Sequence, residues 1–424
     1  MNTPFFDIPA ALSAASDAAM TSAKNAFARI DEITEYNQQK VLSAFIDFHV
    51  SETHFVPTTG YGYGDRGRDT LDELFAKVMG AEDALVRHSI VSGTHAITVA
   101  LFGVLRPNDV LLAATGAPYD TLLGVIGANA HSDGSLADYG IGYSEVPLKN
   151  DRPDLDGIRE ALCNEPRIKV VHVQRSRGYS LRPSLTVAEI GDIVKAVRDV
   201  RPDAIVFVDN CYGEFVEKIE PTAVGADLMA GSLIKNAGGG IAENGGYICG
   251  RRDLVEQCSY RMTTPGLGRE VGASLGHNRS LYMGLFHAPH VVGEALKTAV
   301  YAAALFSSFG YEVTPTADEP RADIIQAVKL GDAPSLIAFC QGMQQGAPVD
   351  SFVVPEPWDM PGYDDQVIMA AGALTAGASI ELSADAPLRE PFAAYMQGGL
   401  NFHSGKLGVL LAARSMLEKG ILKL

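Results

Sequence analysis

The chain is short of positive charge, with 34 lysines and arginines against 51 aspartates and glutamates and a formal net charge of −17. Nucleic acid and anionic membrane both select basic surfaces, so neither is an expected partner. Long apolar runs are also missing: stretches such as 97–105 and 110–114 are too short or too interrupted to cross a bilayer. The start, Met1-Asn2-Thr3-Pro4-Phe5-Phe6-Asp7, carries no basic segment, and the Ala/Ser-rich stretch behind it is broken by Asp17 and Lys24. No secretory signal is expected, and the protein is placed in the cytoplasm. The five cysteines, Cys163, Cys211, Cys249, Cys258 and Cys340, form no CxxC pair and no metal-type spacing with histidine. They read as free thiols in a reducing compartment, with no metal site. Repeats, low-complexity tracts and EF-hand-type acidic loops are absent as well.

What is present is the composition of a folded α/β protein. Of 424 residues, 47% are hydrophobic and 20% charged, and 43 are glycine. That length exceeds one ordinary core, so a large domain with a smaller companion is expected. Residues 9–50 read as helical, with Phe27, Ile30 and Ile33, then Val41, Phe45 and Phe48, at helical spacing. Seven short apolar runs follow, at 83–91, 109–114, 142–146, 168–173, 204–208, 227–233 and 246–249. Helical patterns at 93–105, 155–163 and 187–200 lie between them, and this alternation argues a mostly parallel seven-stranded sheet flanked by helices. Beyond the Ala-rich helix near 295–309, strands are expected at 311–315, 323–328 and 379–382, with helices near 333–344 and 405–419. The expected organisation is an N-terminal helical arm over 1–60, a large domain over 61–300 and a small α+β domain over 301–424.

Two residues carry the chemistry. Asp209 ends the run Ala204-Ile205-Val206-Phe207-Val208, and Lys235 follows the run that includes Ser232-Leu233-Ile234. Both are expected at the carboxyl ends of buried strands, where open α/β sheets hold ligands. A lysine there can form a Schiff base with an aldehyde cofactor, and a carboxylate can keep a pyridine nitrogen protonated; pyridoxal phosphate needs both. Each residue alone also fits a plainer role, the acid as a turn or cap residue and the lysine as a solvated charge.

Other segments supply the remaining parts. Ser92-Gly93-Thr94 opens an apolar helix with no acid in its first turn, which suits a phosphate as well as an ordinary N-cap. Tyr119, in a turn after the second run, offers an aromatic face to a flat ring or simply packs beside Pro118. Ser232, three residues before Lys235, can add a hydroxyl to the phosphate, and Gly238-Gly239-Gly240 lets the backbone pass close by. Upstream, residues 55–69 interleave Gly60, Gly62, Gly64 and Gly67 with Tyr61, Tyr63, Arg66 and Arg68, the composition of a display loop.

The order of these parts resembles the Cys/Met-metabolism group of fold type I pyridoxal-phosphate enzymes. With Tyr61-Gly62-Tyr63-Gly64-Asp65-Arg66, Gln174-Arg175-Ser176-Arg177-Gly178-Tyr179, Lys235-Asn236-Ala237-Gly238-Gly239 and Gln397-Gly398-Gly399-Leu400, it is similar to the methionine γ-lyase-like family often labelled aluminium resistance proteins. The resemblance spans nearly the whole chain. It implies a fold type I, transferase-like α/β architecture and pyridoxal 5'-phosphate in Schiff base with Lys235. It assigns Asp209 to the pyridine nitrogen, Tyr119 to stacking on the ring, and Ser92, Gly93, Thr94 and Ser232 to the phosphate. It also implies that Tyr63 and Arg66 complete the phosphate site of a neighbouring subunit, in a homodimer or homotetramer.

The chain departs from the group's better-known members. Gly67-Arg68-Asp69 stands where they carry Asn-Pro, Ile234 precedes the lysine where they have Thr, and their Arg-Leu-Ser strand has no counterpart. The substrate carboxylate therefore falls to Arg389, Arg175 or Arg177, each of which also fits a salt bridge or a solvated loop. The expected reaction is carbon–sulfur elimination from an amino acid such as methionine, cystathionine or cysteine, giving a thiol, ammonia and a 2-oxo acid. Lys235 would move the α-proton. Aldol cleavage or aminotransfer on the same scaffold, or a non-catalytic metal-resistance role, are the alternatives.

Overall fold

The seven apolar runs between residues 83 and 250 form one sheet in the computed structural model, which describes residues 3–128, 133–360 and 365–424. Its strands are β1 (Asp83–Arg87), β2 (Val110–Ala113), β3 (Gly142–Glu145), β4 (Ile168–Gln174), β5 (Ile205–Asp209), β6 (Leu228–Ser232) and β7 (Gly246–Gly250). The spatial order is β1-β7-β6-β5-β4-β2-β3. From β3 to β6 the pairing is parallel, and β7 runs antiparallel to both β6 and β1. Every residue of β1, β2, β5, β6 and β7 is buried, as expected of a sheet covered on both faces.

Strand periodicity then decides where the polar ends point. Ile205 and Phe207 of β5, and Leu228 and Ala230 of β6, pack in one core with Ile97, Ala100 and Leu101 of the helix Gly93–Val104. Alternation by two carries Asp209 and Ser232 onto the same face, at the carboxyl ends of their strands. Residue Asp209 pairs in register with Gln174 of β4 and Ala230 of β6.

The chain divides into two units. One consists of Asn37–Gly178 and Arg182–His287 and holds the seven-stranded sheet; the other consists of Met1–Tyr36, Tyr179–Leu181 and Ala288–Leu424. The second unit has an antiparallel sheet of β8 (Glu312–Thr314), β9 (Gln326–Lys329), β10 (Val367–Ala370), β11 (Ser383–Pro387) and β12 (Ala393–Gln397), ordered β10-β11-β12-β9-β8. Phe306, Phe339, Leu410 and Met416 centre its core, and Leu12 and Ala19 of the helix Ala10–Ser22 pack into it.

The strand expected over 379–382 is not there. The Glu381 carboxylate accepts the backbone N–H groups of Leu374 and Thr375, 2.8 Å each, and fixes this stretch as a turn. The strand begins at Ser383, just past the end of the expected one, in Ser-Ala-Asp-Ala-Pro, whose lack of β-branched or aromatic residues hides it from pattern reading. Among the described residues no helix is long and apolar enough to cross a membrane.

Candidate active site

At the start of the helix Gly93–Val104, Ser92 is the N-cap, its Oγ accepting the His95 N–H at 3.0 Å. With no acid in the first turn, the free N–H groups and positive dipole end are unopposed. A Cβ on Gly93 would sit 3.0 Å from Cys211 Sγ and 3.4 Å from Ser232 Cβ, so glycine lets the helix start lie beside β6 without pushing the Cys211 side chain aside. Thr94 Oγ1 lies 3.0 Å from Tyr119 OH, and the Tyr119 N–H donates to Gln174 Oε1 at 3.0 Å. The Ser232 hydroxyl is buried with no hydrogen-bond partner among the described residues. A buried hydroxyl left without a partner is costly, and beside a bare helix start it fits a phosphate as its acceptor.

Asp209 is buried at the end of β5, and its Oδ1 accepts the Cys211 N–H at 3.1 Å. Burial pushes its carboxyl above the ordinary value, with Lys235 and the Cys211 backbone and side chain pulling against that. Lys235 is partly buried, its Nζ 4.0 Å from the centre of the Tyr212 ring. Desolvation works to lower its pKa, but Cys211, Tyr212, Asp209 and Tyr119 outweigh it and hold the amine well above its ordinary value. Burial, with Asp209 adding to it, likewise raises the Tyr119 phenol. Asp209, Lys235, Tyr119, Thr94, Gly93 and Ser232 are thus one cluster, and a cofactor with an aldehyde, a pyridine nitrogen and a phosphate matches its donor set.

Tyr63 and Arg66 lie on a separate, well-fastened loop. Gly60, Gly62 and Gly64 have φ of 63°, 64° and 65°, the left-handed region, and a Cβ on Gly62 would sit 2.6 Å from Ala273 Cα. Asp65 caps the next helix by accepting the Arg68 N–H at 2.9 Å, and it also accepts from Thr58 and Asn278. Buried Arg68 donates to Gly62 O and Gly272 O at 3.0 and 2.9 Å. This fastening leaves Tyr61 and Tyr63 exposed and stacked on each other, ring centres 5.6 Å apart, with Arg66 also exposed.

The three candidate carboxylate arginines have different settings. Arg175 is fully buried, bonding Asn210 Oδ1 and Glu217 Oε1 at 2.8 Å each, Leu185 O at 3.3 Å and Glu220 Oε2 at 3.4 Å. Arg177 is buried just past the end of β4, its N–H donating to Ser184 Oγ at 3.2 Å. Arg389 is half-exposed in a turn and pairs with Asp365 at 3.1 Å.

Four residues of the cluster escaped sequence reading. Gln174 fixes the Tyr119 turn, Cys211 bonds Asp209, Tyr212 faces Lys235, and Glu214 lies beneath β6. The Glu214 Oε1 accepts from Tyr247 OH at 2.8 Å, and burial pushes its carboxyl up to about 8. The available signal was position: all but Gln174 lie within five residues of Asp209, and Gln174 ends the neighbouring strand.

Comparison with known proteins gives the family and the fold. The methionine gamma-lyase family model matches residues 12–417. A Bacillus subtilis (strain 168) relative, "Uncharacterized protein YnbB", is 51% identical over 396 residues, covering 93% of this chain and 94% of that protein. The crystal structure of a carbon-sulfur lyase involved in aluminum resistance from Clostridium novyi NT superposes with a TM-score of 0.93 at 51% identity, covering 97% of this chain and 96% of that one. The pyridoxal-5'-phosphate dependent protein YhfS of Escherichia coli shares the fold alone, with a TM-score of 0.62 at 16% identity over 92% of this chain and 97% of its own. The fold is that of the fold type I pyridoxal-phosphate enzymes, and the chain belongs to the methionine gamma-lyase family.

Proposed function

We propose that the protein is a pyridoxal-phosphate-dependent carbon–sulfur lyase that eliminates a thiol from a sulfur amino acid, leaving ammonia and a 2-oxo acid. The observation that carries this reading is the cluster of Lys235, Asp209, Tyr119 and unpartnered Ser232 at the carboxyl end of β5 and β6, in a chain matched by the family model over residues 12–417. Pyridoxal phosphate, when bound, supplies an aldehyde for an amine and a ring that accepts electrons.

The residues divide the work by position. Lys235 would hold the cofactor's aldehyde, and its ε-amine, when free, would take and return the substrate's α-proton. The Asp209 carboxylate keeps the pyridine nitrogen protonated, and the Cys211 N–H at 3.1 Å steadies its charge. Tyr119, held by Thr94 and Gln174, would offer its aromatic face to the cofactor's ring. The backbone at Gly93 and Thr94, with the Ser232 hydroxyl, receives the phosphate, while Ser92 caps the helix. Tyr63 and Arg66, exposed on a fastened loop, serve the phosphate site of a second subunit in a dimer or tetramer.

For the substrate carboxylate, buried Arg177 at the end of β4 is the better candidate and Arg389 the second; Arg175, held by two glutamates and an asparagine, braces the interior. The substrate is a small amino acid carrying sulfur at Cβ or Cγ. Borohydride trapping tests the central assignment. Reduction of the loaded protein should leave a pyridoxyl group on the peptide containing Lys235, and a label on any other lysine would defeat it.

A further inference from the structure

The segment between Asp209 and Phe215 adopts a conformation that its residues do not favour. Tyr212 and Phe215 have φ of 72° and 63°, left-handed values that bulky side chains rarely take. Such strain persists only where the surroundings over-determine it, and it gathers at functional sites. Here the fastening is explicit. Asn37 Nδ2 donates to Phe215 O and Glu217 O at 3.1 and 3.0 Å, and the Phe215 N–H donates to Glu220 Oε1 at 2.9 Å. The Gly213 N–H donates to Asn210 O at 2.9 Å, and Asn236, next to Lys235, donates its side-chain amide to Glu214 O at 3.1 Å.

The last of these bonds ties the strained turn to the lysine turn, and what the strain delivers is the Tyr212 ring. Its face lies 4.0 Å from Lys235 Nζ, well inside the range in which a ring's negative face attracts an ammonium. We propose that Tyr212 is a positioning residue for Lys235: its ring receives the ε-ammonium and holds it beside the site whenever the amine is protonated and not bonded to cofactor. This rests on the reading of Lys235 as the cofactor lysine. The consequence is a parked, charged amine with a fixed direction of return, in place of a four-carbon chain free to swing.

The other groups that face Lys235 are Asp209, Cys211, Tyr119 and Glu214. Asp209 is the carboxylate among them, and Glu214 is the carboxyl that burial pushes up to about 8. The ring therefore adds to an existing field, and removing it should shift the amine's titration by about one pH unit.

The test uses full-length protein freed of cofactor. Cyanate carbamylates only neutral amines, so the rate at Lys235, read by peptide mass spectrometry against pH, gives the amine's titration midpoint. Tyr212→Phe keeps the ring and should reproduce the wild-type profile. Tyr212→Gly removes the ring at a φ that glycine accepts, so the variant should unfold no earlier than wild type while its midpoint falls by about one pH unit, on the order of tenfold faster labelling at fixed lower pH. Tyr212→Leu should show the same shift. An unchanged midpoint in Tyr212→Gly, with or without a faster plateau rate from easier access, overturns the proposal, as does a Tyr212→Phe profile that follows Tyr212→Gly. If wild type shows the shift but never takes pyridoxal phosphate at Lys235, the cofactor reading fails and the tyrosine contact stands.

Discussion

Thr94 Oγ1 and Tyr119 OH lie 3.0 Å apart, joining the first turn of the helix Gly93–Val104 to the turn after β2. Under the proposed function the bond would couple two jobs, receiving a phosphate and covering an aromatic ring, carried by residues that the sequence separates by 25 positions. Thr94→Val should therefore weaken pyridoxal phosphate binding and also loosen Tyr119, visible as a changed circular dichroism band of the bound chromophore. A variant with weaker binding and an unchanged band would deny the coupling.

Ser232 offers a crossed prediction. Its hydroxyl is buried without a partner among the described residues, so Ser232→Ala should leave the cofactor-free protein as stable as wild type or more so. A hydrogen bond to a charged group contributes about 1.5–3 kcal/mol, so cofactor affinity should drop by at least tenfold in the same variant. Thermal unfolding and fluorescence titration read the two effects. Unchanged affinity removes Ser232 from the phosphate site.

Two buried groups give pH dependences of opposite sign in the cofactor-free protein. The folded-state value of Glu214 is raised from 4.5 to about 8, so the folded protein keeps a proton that the unfolded chain releases, and stability falls as pH rises through that window. For His172 burial lowers the value from 6.5 to about 4; the unfolded chain takes the proton first, and stability falls as pH drops from 6.5 towards 4. Each slope is at most about 1.4 kcal/mol per pH unit. Glu214→Gln should flatten the alkaline side of a plot of melting temperature against pH, and His172→Phe the acid side. If both variants keep the wild-type curve, these groups titrate in the folded protein as they do unfolded.

Arg175 should behave as a brace. Removing one partner of a buried ion pair costs about 3–5 kcal/mol, so Arg175→Met should unfold at markedly lower temperature. A selective rise in KM for the amino acid with full stability would instead make Arg175 a carboxylate ligand.

The contrast between Arg175 and Lys235 marks how far sequence reading reaches. Strand-end residues were legible because alternation by two along β5 and β6 fixes which face Asp209 and Ser232 share. The sheet was legible because β1, β2, β4 and β5 are short runs rich in Val, Ile and Leu, spaced by helical patterns. Arg175 looked like a ligand because a loop arginine after a strand carries no sign of burial, and Glu217 and Glu220, which hold it, lie more than 40 residues away. Tyr212 and Glu214 were invisible because their importance comes from a left-handed turn and a contact across β6, neither of which has a periodic signature. Strands β11 and β12 were missed for want of β-branched residues, and β10 was missed because Val-Ile-Met-Ala is only four residues long.

The shared-subunit reading is tested by mixing. Lys235→Ala should lose cofactor linkage, and Arg66→Ala should release cofactor more readily while unfolding within about 0.5 kcal/mol of wild type, as an exposed residue should. Mixed and reassembled at limiting cofactor, the two variants should show more activity than the sum of the two alone, because one of the hybrid sites has both residues intact. Failure to complement, in a mixture shown to exchange subunits, would place both residues in the site of a single chain.

The proposed carbon–sulfur elimination driven by Lys235 is tested most directly by the product set released from L-methionine, L-cystathionine and L-cysteine by the loaded protein. Equal amounts of ammonia and a 2-oxo acid, with release of a thiol, are expected from at least one of them, and none from Lys235→Ala. Pyruvate would mark cleavage at Cβ and 2-oxobutyrate cleavage at Cγ. Exchange of amino and oxo acids without ammonia or thiol, or product formation that survives Lys235→Ala, would contradict it.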